Sequence, residues 1–397
     1  MEKNHKLGEL GISKSLSKLK IWRRACQLNI ELDDHYQSKI YSSGSVVRGR
    51  LIISAISTFQ AASIRISLNG LTKICTVGQC ITTTTVHRFL KVDCIIPEIP
   101  ELISGTFIKG NVYTIPFHFT FPDQSDSSTC THKVKSTGVR EQHLCLPSTM
   151  GGWDREDMSP DTVGIEYAIN ACVEPRSPHN SRTSSVLTIK KTLRFVTRST
   201  ENPPQHISST SQRYTLQATQ TLRQHSSKQA SGTISATTTQ PEPLRLHPYG
   251  KGVAPSFIDV SLTFDPSKDG ILPPQPDAVR LCIRSYTWRQ ANPYTNFPDM
   301  HEVPSIKQPF CAILPVEVQS SILAWSEHVD ISQEAKTSTP FYSSTLRLPL
   351  LTISPTKTIL PTFYSCLVSR TYDVCVCLTF GKRELAIVTP LQIIAEI

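Results

Sequence analysis

Alternation of apolar and polar residues with a period of two is the feature of this sequence that most restricts its fold. In the longest example Ile165, Tyr167, Ile169, Ala171 and Val173 are apolar at every second position. Successive side chains of a β-strand point to opposite faces, so such a stretch predicts a strand with one buried face. The same pattern recurs in stretches 28–32, 64–68, 258–264 and 374–380.

Turn-forming dipeptides separate the predicted strands, among them Ser43-Gly44, Asn69-Gly70, Gly110-Asn111 and Gly151-Gly152. Many short strands with recurrent turns are typical of a β-sandwich. Composition agrees, because 18% charged residues and 28 prolines exclude a coiled coil or long-helix protein. A hydrophobic content of 39% also excludes a chain that is disordered throughout.

Composition divides the 397 residues into four parts. Residues 1–24 predict a basic flexible tail, and residues 25–199 predict a first β-sandwich. Residues 200–240 contain sixteen Ser or Thr and seven Gln, so we expect a disordered linker over 200–249. Strand patterning returns over 250–397 and predicts a second β-sandwich. The predicted fold class is therefore all-β, with two immunoglobulin-like sandwiches joined by a polar linker.

The formal net charge is +9, and residues 1–24 alone carry seven Lys or Arg against two Glu. A basic tail attracts an anionic partner, and an anionic membrane surface is the partner that we expect. Nucleic acid is not expected, because the rest of the chain is only mildly basic. The candidate membrane contacts are Lys14, Lys18, Lys20, Arg23 and Arg24. The alternative is a disordered tail without a membrane role.

The cellular compartment is predicted from what the sequence lacks. No uncharged stretch near the N-terminus is typical of a signal peptide, and no run of about 18 apolar residues predicts a transmembrane helix. The twelve cysteines are not those of a small disulfide-rich domain, and none forms a Cys-x-x-Cys motif. We therefore expect a cytoplasmic protein with reduced thiols.

Cys130-x-His132 and His143-x-Cys145 form a mirrored pair of motifs that could bind metal. On facing strands, all four side chains could point to one side and form a tetrahedral Cys2His2 site. The spacing differs from the usual Cys-x-x-Cys and His-x-x-x-His motifs of zinc sites, and the surrounding residues are polar. We therefore expect scattered loop residues here, with no metal and no cofactor.

Motifs of catalysis are missing from the sequence. It contains no Gly-x-Ser-x-Gly, no phosphate-binding loop and no dinucleotide-binding glycine pattern. Asp154, Glu156 and Asp157 cluster near Trp153, and we interpret them as a solvated loop. The sequence therefore predicts a protein that is not an enzyme.

Basic and aromatic residues alternate near position 285. Interleaved Arg and aromatic side chains can bind single-stranded nucleic acid, but they are equally typical of the solvent face of a strand. We favour the second interpretation. The residues concerned are Arg280, Arg284, Tyr286, Trp288, Arg289 and Tyr294.

The order of several short motifs resembles the arrestin family. In the first half they are Leu28-Asn-Ile-Glu-Leu32, Tyr41-Ser-Ser-Gly44, Val47-Arg-Gly49, Ile64-Arg-Ile-Ser-Leu-Asn-Gly70, Tyr113-Thr-Ile-Pro-Phe-His-Phe-Thr-Phe-Pro122, Leu146-Pro-Ser148 and Ile165-Glu-Tyr167. In the second half they are Pro361-Thr-Phe-Tyr-Ser365, Arg370-Thr-Tyr372-Asp-Val374 and Thr389-Pro-Leu-Gln-Ile393.

The chain is most similar to alpha-arrestins of the fungal type, which are trafficking adaptors. The resemblance implies a non-enzymatic adaptor that binds a membrane transporter or receptor as cargo. It also implies recruitment of a HECT-type ubiquitin ligase for endocytosis, at the plasma membrane or endosomes. The alternatives are a retromer-subunit-like sorting scaffold and, in a different class, a β-rich metal-dependent enzyme.

One motif of the family is missing. Alpha-arrestins recruit the ligase through Pro-Pro-x-Tyr, an extended segment that WW domains bind. Here Pro203-Pro-Gln-His206 and Pro273-Pro-Gln-Pro276 lack the tyrosine, and Leu246-His-Pro-Tyr249 has histidine in place of the second-position proline. Direct ligase binding is therefore not predicted, and three alternatives stay open: a divergent member of the family, a protein that acts through a partner adaptor, or one that only binds cargo.

Overall fold

The computed structural model describes residues 25–78, 82–96, 104–176, 186–223, 229–246, 256–300, 308–318, 322–328, 340–350 and 356–396. This part of the chain is nearly all β and contains one α-helix, α1 (Thr137–Leu144). No helix in it is long and apolar enough to cross a membrane. Residues 1–24, and with them all five candidate membrane contacts, lie outside the described residues.

The chain forms two compact units. The first comprises Met1–Thr131, Leu144–Gly152 and Gly164–Phe195, and the second comprises His132–His143, Trp153–Val163 and Val196–Ile397, as far as these ranges are described. The boundary after Phe195 differs from the predicted boundary at residue 199. Two short excursions of the first half, 132–143 and 153–163, also belong to the second unit, which sequence patterning did not predict.

The first unit is a sandwich of two sheets. Its strands are β1 (Cys26–Leu32), β2 (Ile40–Tyr41), β3 (Val46–Ala55), β4 (Phe59–Val77), β5 (Thr82–Asp93), β6 (Thr106–Phe107), β7 (Val112–Thr120), β8 (Val163–Pro175) and β9 (Leu187–Phe195). One sheet has the order β1-β3-β7, and the other has the order β2-β9-β8-β4-β5, with β6 paired to β4.

Aromatic rings fill the core of the first unit. Phe121 lies 5.7 Å from Tyr167 and 5.0 Å from Phe195 between ring centroids, and Tyr41 lies 5.9 Å from Phe121. The five alternating apolar residues of β8 are all buried. The period-two prediction for this strand is therefore confirmed, because only the face that contacts the rings carries large apolar side chains.

The second unit also layers its sheets as a sandwich. Its strands are β10 (Gln217–Arg223), β11 (Ala230–Thr238), β12 (Leu244–Leu246), β13 (Phe257–Pro266), β14 (Ala278–Arg289), β15 (Phe310–Val316), β16 (Ser326–His328), β17 (Phe341–Pro349), β18 (Phe363–Tyr364), β19 (Val368–Phe380), β20 (Arg383–Leu391) and β21 (Ile393–Ala395). The two main sheets have the orders β10-β11-β13-β17-β16 and β15-β14-β19-β18, with β20 paired to β19, and β12 pairs with β21.

Aliphatic side chains from both main sheets form the core of the second unit. Ile234, Val260 and Leu262 of one sheet and Ile283 and Val374 of the other belong to a single buried cluster. In β19 the apolar positions 374, 376, 378 and 380 are buried while the intervening residues are partly exposed. The alternation predicted for the C-terminal half is confirmed in this strand.

The predicted disordered linker is corrected by the structure. Within 200–249 lie β10, β11 and β12, and β11 pairs with β13 so that Ile234 lies opposite Phe264. Only one face of these strands has to be apolar, and Leu222, Ile234 and Ala236 supply it. The Ser and Thr residues occupy the other face, so a low overall apolar content did not imply disorder.

Candidate metal centre

Cys130, His132, His143 and Cys366 bring two sulfurs and two imidazole nitrogens together, with all four ligand atoms within 4.8 Å of one another. Nε2 of His132 lies 3.2 Å from Nδ1 of His143. Cys130, His143 and Cys366 are buried, and His132 is partly buried. Among the described residues, this is the group whose donor atoms best fit a metal ion.

A short 3-10 turn at Ser127–Thr129 positions the first two ligands. Asp126 begins the turn, because its Oδ1 accepts a hydrogen bond of 2.8 Å from the backbone N–H of Ser128. Cys130 follows directly, and its N–H donates to the carbonyl of Ser127 at 3.3 Å. His132 is two residues further on, so the chain itself carries the two side chains to one place.

Helix α1 positions the third ligand. Its start is stabilised by Ser136, whose Oγ accepts a hydrogen bond from the N–H of Val139 at 3.3 Å. Val139 and His143 are its buried residues and lie four positions apart, so they share one face of the helix. The backbone N–H of Lys135, just before the helix, donates to the carbonyl of Thr295 at 2.9 Å. This hydrogen bond anchors the segment within the second unit.

The fourth ligand comes from the tight turn between β18 and β19. The backbone N–H of Ser365 donates to the carbonyl of Val368 at 2.9 Å, which closes the turn. Cys366 lies inside it, and its own carbonyl accepts a hydrogen bond of 2.8 Å from the N–H of Tyr294. The loop that contains Tyr294 and Thr295 therefore contacts both the segment before α1 and the turn that holds Cys366.

Electrostatics favour a neutral imidazole at His143. Burial, together with the neighbouring charges of His132 and Arg140, lowers the pKa of His143 to about 4. The two close nitrogens can share one proton in a hydrogen bond, with one ring donating and the other accepting. Neutral imidazole is also the form of histidine that binds metals.

Three of the four residues that the sequence singled out for metal binding belong to this group, and the fourth does not. Cys145 instead forms an isolated β-bridge with Gln124. Cys366 occupies its place, although it is 223 positions beyond His143. No local spacing could identify it, because only the tertiary fold brings the turn after β18 next to α1.

The second unit contains a second polar cluster, around Asp373. Arg284 donates to both carboxylate oxygens, from Nε at 2.7 Å and from Nη2 at 3.0 Å, and Arg213 lies 3.9 Å from Oδ2. Burial raises the pKa of Asp373, while its hydrogen bond with Arg284 opposes the rise. The guanidinium of Arg213 also stacks 3.9 Å from the ring centre of Tyr286.

This cluster refines the interpretation of the basic and aromatic residues near position 285. Tyr286, Trp288 and Tyr294 form a small buried cluster of their own. Arg280 pairs with Glu384 at the surface, whereas Arg284 turns inward to Asp373. The expected solvent-facing role therefore holds for Arg280 and not for Arg284.

Two of the acidic residues near Trp153 form separate contacts within the second unit. Glu156 forms a salt bridge with Lys357. Asp157 is buried, and its Oδ1 accepts a hydrogen bond from the N–H of Ser159 at 3.0 Å. The predicted solvated loop is therefore only partly solvated.

Two further thiols lie opposite each other on neighbouring strands. Cys282 of β14 is the register partner of Cys375 of β19. The thiol of Cys282 donates a hydrogen bond to Cys375, which lowers the pKa of Cys375 to about 6 and raises that of Cys282. Both cysteines are partly buried on the sheet, where free cysteines commonly behave as small apolar residues.

A scan against models of protein families finds no match to the chain, and neither does a search of curated proteins.

Proposed function

We propose that the protein is a non-enzymatic adaptor of the arrestin type. In this role it binds a membrane transporter or receptor and brings ubiquitin-ligase machinery to it, for endocytosis and intracellular trafficking. The all-β architecture with two compact units is compatible with this proposal. The observation that carries it is that the residues of the arrestin-like motifs are the ones that hold each unit together.

In the first unit the motif residues contact one another. The hydroxyl of Tyr167, in the Ile-x-Tyr stretch, donates to the carbonyl of Pro147, in the Leu-Pro-Ser stretch, at 2.7 Å. Tyr41 and Phe121, from two other motifs, contact the same ring cluster. Four motifs that are far apart in the sequence therefore meet in one buried core.

The glycines of these motifs also have structural reasons. Gly44 has a φ of +79°, which an L side chain rarely adopts, so the turn after Tyr41 requires glycine. At Gly49 a Cβ would lie 2.3 Å from the backbone oxygen of Glu31 on the paired strand. A side chain there would force β1 and β3 apart.

The second unit shows the same relation between motif and core. Arg370 is fully buried, and its Nη2 donates to Oγ of Ser159 at 2.7 Å. Tyr372, two positions on, donates from its hydroxyl to the carbonyl of Leu360 at 2.7 Å. The Arg-x-Tyr motif thus joins β19 to two neighbouring segments of the same unit.

An open sheet edge offers a docking surface for cargo. Within the described chain, β15 has β14 as its single hydrogen-bonded neighbour, and its Phe310 and Ile313 are exposed. Exposed apolar edge strands invite pairing with another strand. An extended cytoplasmic segment of the cargo could add itself to β15 through main-chain hydrogen bonds and place apolar side chains against Ile313.

Proximity labelling in the native cell tests the adaptor role. We expect wild-type protein to label transporters or receptors together with a HECT-type ligase or a protein that bridges to one. Ile313→Lys should reduce labelling of cargo. The matched control Leu272→Lys changes another exposed apolar residue, which lies outside the strands, and should leave labelling unchanged.

Two results would redirect the proposal. Labelling of coat subunits without ligase or transporter would favour the retromer-like sorting scaffold. Labelling of neither group of proteins would contradict a trafficking role altogether.

The basic tail supplies the expected membrane contact. Near anionic lipid each Lys or Arg contributes about 1 kcal/mol, so Lys14, Lys18, Lys20, Arg23 and Arg24 together give weak recruitment to plasma membrane or endosomes. Sedimentation with anionic vesicles should therefore weaken when residues 1–24 are removed, and more so at low salt. Unchanged binding at low salt would show that the tail has no membrane role, and neutral vesicles are the control.

A further inference from the structure

We propose that Cys130, His132, His143 and Cys366 bind one zinc ion as a structural site. This inference goes beyond the adaptor role and does not depend on it. It rests on the donor set, the distances between the donor atoms, their burial and the places in the chain from which they come.

The donor set favours zinc over other common metals. Two thiolates and two imidazoles are soft to borderline ligands, which suit zinc, whereas magnesium and calcium require oxygen ligands. In the structure Cys130 and Cys366 are thiols and are not joined in a disulfide. Binding of one zinc ion by both would release two protons, one from each sulfur.

The distances between the ligand atoms are close to those in a tetrahedral zinc site. With zinc–nitrogen bonds of about 2.0 Å, two imidazole nitrogens on one tetrahedral ion lie about 3.3 Å apart. Nε2 of His132 and Nδ1 of His143 are 3.2 Å apart. Two thiolate sulfurs would lie about 3.8 Å apart. All four ligand atoms are within 4.8 Å of one another, which is within about 1 Å of the sulfur–sulfur separation that a tetrahedral zinc site requires.

The number and burial of the ligands indicate a structural site. Catalytic zinc keeps one position for water, whereas four protein ligands fill a tetrahedron completely. Cys130, His143 and Cys366 are at most 4% exposed, so water has little access to the ion position. A filled tetrahedron would leave no position on the ion for a substrate.

The places of the ligands in the chain indicate what the ion would stabilise. His132 and His143 bracket a short segment that contains α1, and Cys366 belongs to the turn between β18 and β19. Zinc would link that segment to the turn across 223 positions of sequence. Because α1 has only eight residues, it is too short to be stable alone and depends on such tertiary contacts.

Metal analysis of the purified full-length chain tests this proposal. After dialysis against zinc and then against buffer, we expect about one zinc per chain by mass spectrometry of the metal. Cys366→Ser should weaken zinc binding by roughly a hundredfold or more, since even loss of an outer-shell partner costs about 10- to 100-fold. Cys145→Ser is the matched control, because Cys145 is close to His143 in sequence but outside the group, and it should retain one zinc.

Cobalt substitution keeps the test valid if a variant does not fold. Wild-type protein loaded with cobalt(II) should show the absorption bands of a tetrahedral site and of thiolate-to-cobalt charge transfer. A wild-type chain that binds neither zinc nor cobalt would overturn the proposal. So would loss of zinc in Cys145→Ser together with its retention in Cys366→Ser, which would assign the site to the mirrored pair of motifs instead.

Discussion

The two units of this protein share a layered β architecture and differ in what they bury. In the first unit the core contains a cluster of aromatic rings around Phe121 and Tyr167. In the second unit the core is mainly aliphatic, and the unit also buries charged side chains. Asp373 and Arg370 are both fully buried there, and Asp299 is 7% exposed.

This difference predicts where the protein is sensitive to pH and to loss of charge. An aromatic core is stabilised by apolar contact and ring geometry, neither of which titrates. Buried charges are stable only while their partners remain, because removal of one partner leaves the other desolvated and unpaired. We therefore expect the second unit to respond to isosteric charge changes that the first unit tolerates.

The largest expected effect is that of Asp373→Asn. This change leaves Arg284 and Arg213 beside a neutral group, with side chains that are 25% and 19% exposed. We expect the free energy of unfolding of the second unit to fall by about 3 kcal/mol, at the lower end of the range for broken buried pairs. Urea denaturation followed by tryptophan fluorescence measures it, since Trp153, Trp288 and Trp325 all lie in this unit.

The matched control is an ion pair of the first unit at the surface. Glu31 and Arg50 form a salt bridge whose side chains are about half exposed, so Glu31→Gln should cost at most about 1 kcal/mol. If Asp373→Asn and Glu31→Gln lowered the free energy of unfolding equally, burial of the charged groups would not explain the difference in sensitivity between the two units.

A smaller effect is expected from two tyrosines that occupy equivalent situations. Tyr167 and Tyr372 are both buried, and each donates its hydroxyl to a backbone carbonyl at 2.7 Å, one in each unit. Tyr167→Phe and Tyr372→Phe should each cost about 1–3 kcal/mol, because a buried carbonyl loses its donor. Hydrogen exchange resolved by peptide can measure each unit separately.

Tyr36 provides the control for these tyrosine changes. It is 54% exposed, so Tyr36→Phe should change stability by less than about 0.5 kcal/mol. A cost for Tyr372→Phe that is several times that for Tyr167→Phe would show that the buried charges near Tyr372 are coupled to its hydroxyl.

The smallest expected effect is a change in pH dependence. Burial raises the pKa of Asp299 from its ordinary value of 3.8, although Arg213 and hydrogen bonds from Tyr364 and Tyr214 oppose the rise. As the pH rises above 3.8, the carboxyl of Asp299 loses its proton in the unfolded chain before it does so in the folded chain. The free energy of unfolding therefore falls as pH rises from 3.8 through the folded pKa.

Asp299→Asn should remove this part of the fall. Urea midpoints of the second unit from mildly acidic to neutral pH measure the difference. Asp269→Asn, which removes an exposed carboxylate of the same unit, is the matched control. A steeper fall in Asp299→Asn than in the wild type would reverse the sign that we derive.

Much of the fold could be predicted from local pattern alone. The alternating stretches at 165–173, 258–264 and 374–380 became β8, β13 and β19, with the predicted faces buried. This worked because the direction of a strand side chain depends on parity along the chain and not on the partner.

Segment 200–249 shows where composition was misleading. Its count of Ser, Thr and Gln predicted disorder, yet β10 and β11 form there because each needs only one apolar face. The information that decided this was the availability of β13 as a pairing partner, which the segment itself does not contain.

The candidate metal centre was likewise predicted only in part from the sequence. The sequence by itself offered Cys130, His132, His143 and Cys145 as candidate ligands, and it favoured scattered loop residues over a metal site. Only the tertiary structure decided that Cys366 completes the group and that Cys145 does not. The physical reason is that ligand geometry depends on distances in space, and the turn after β18 reaches α1 only once the sheet of β14 and β19 has formed.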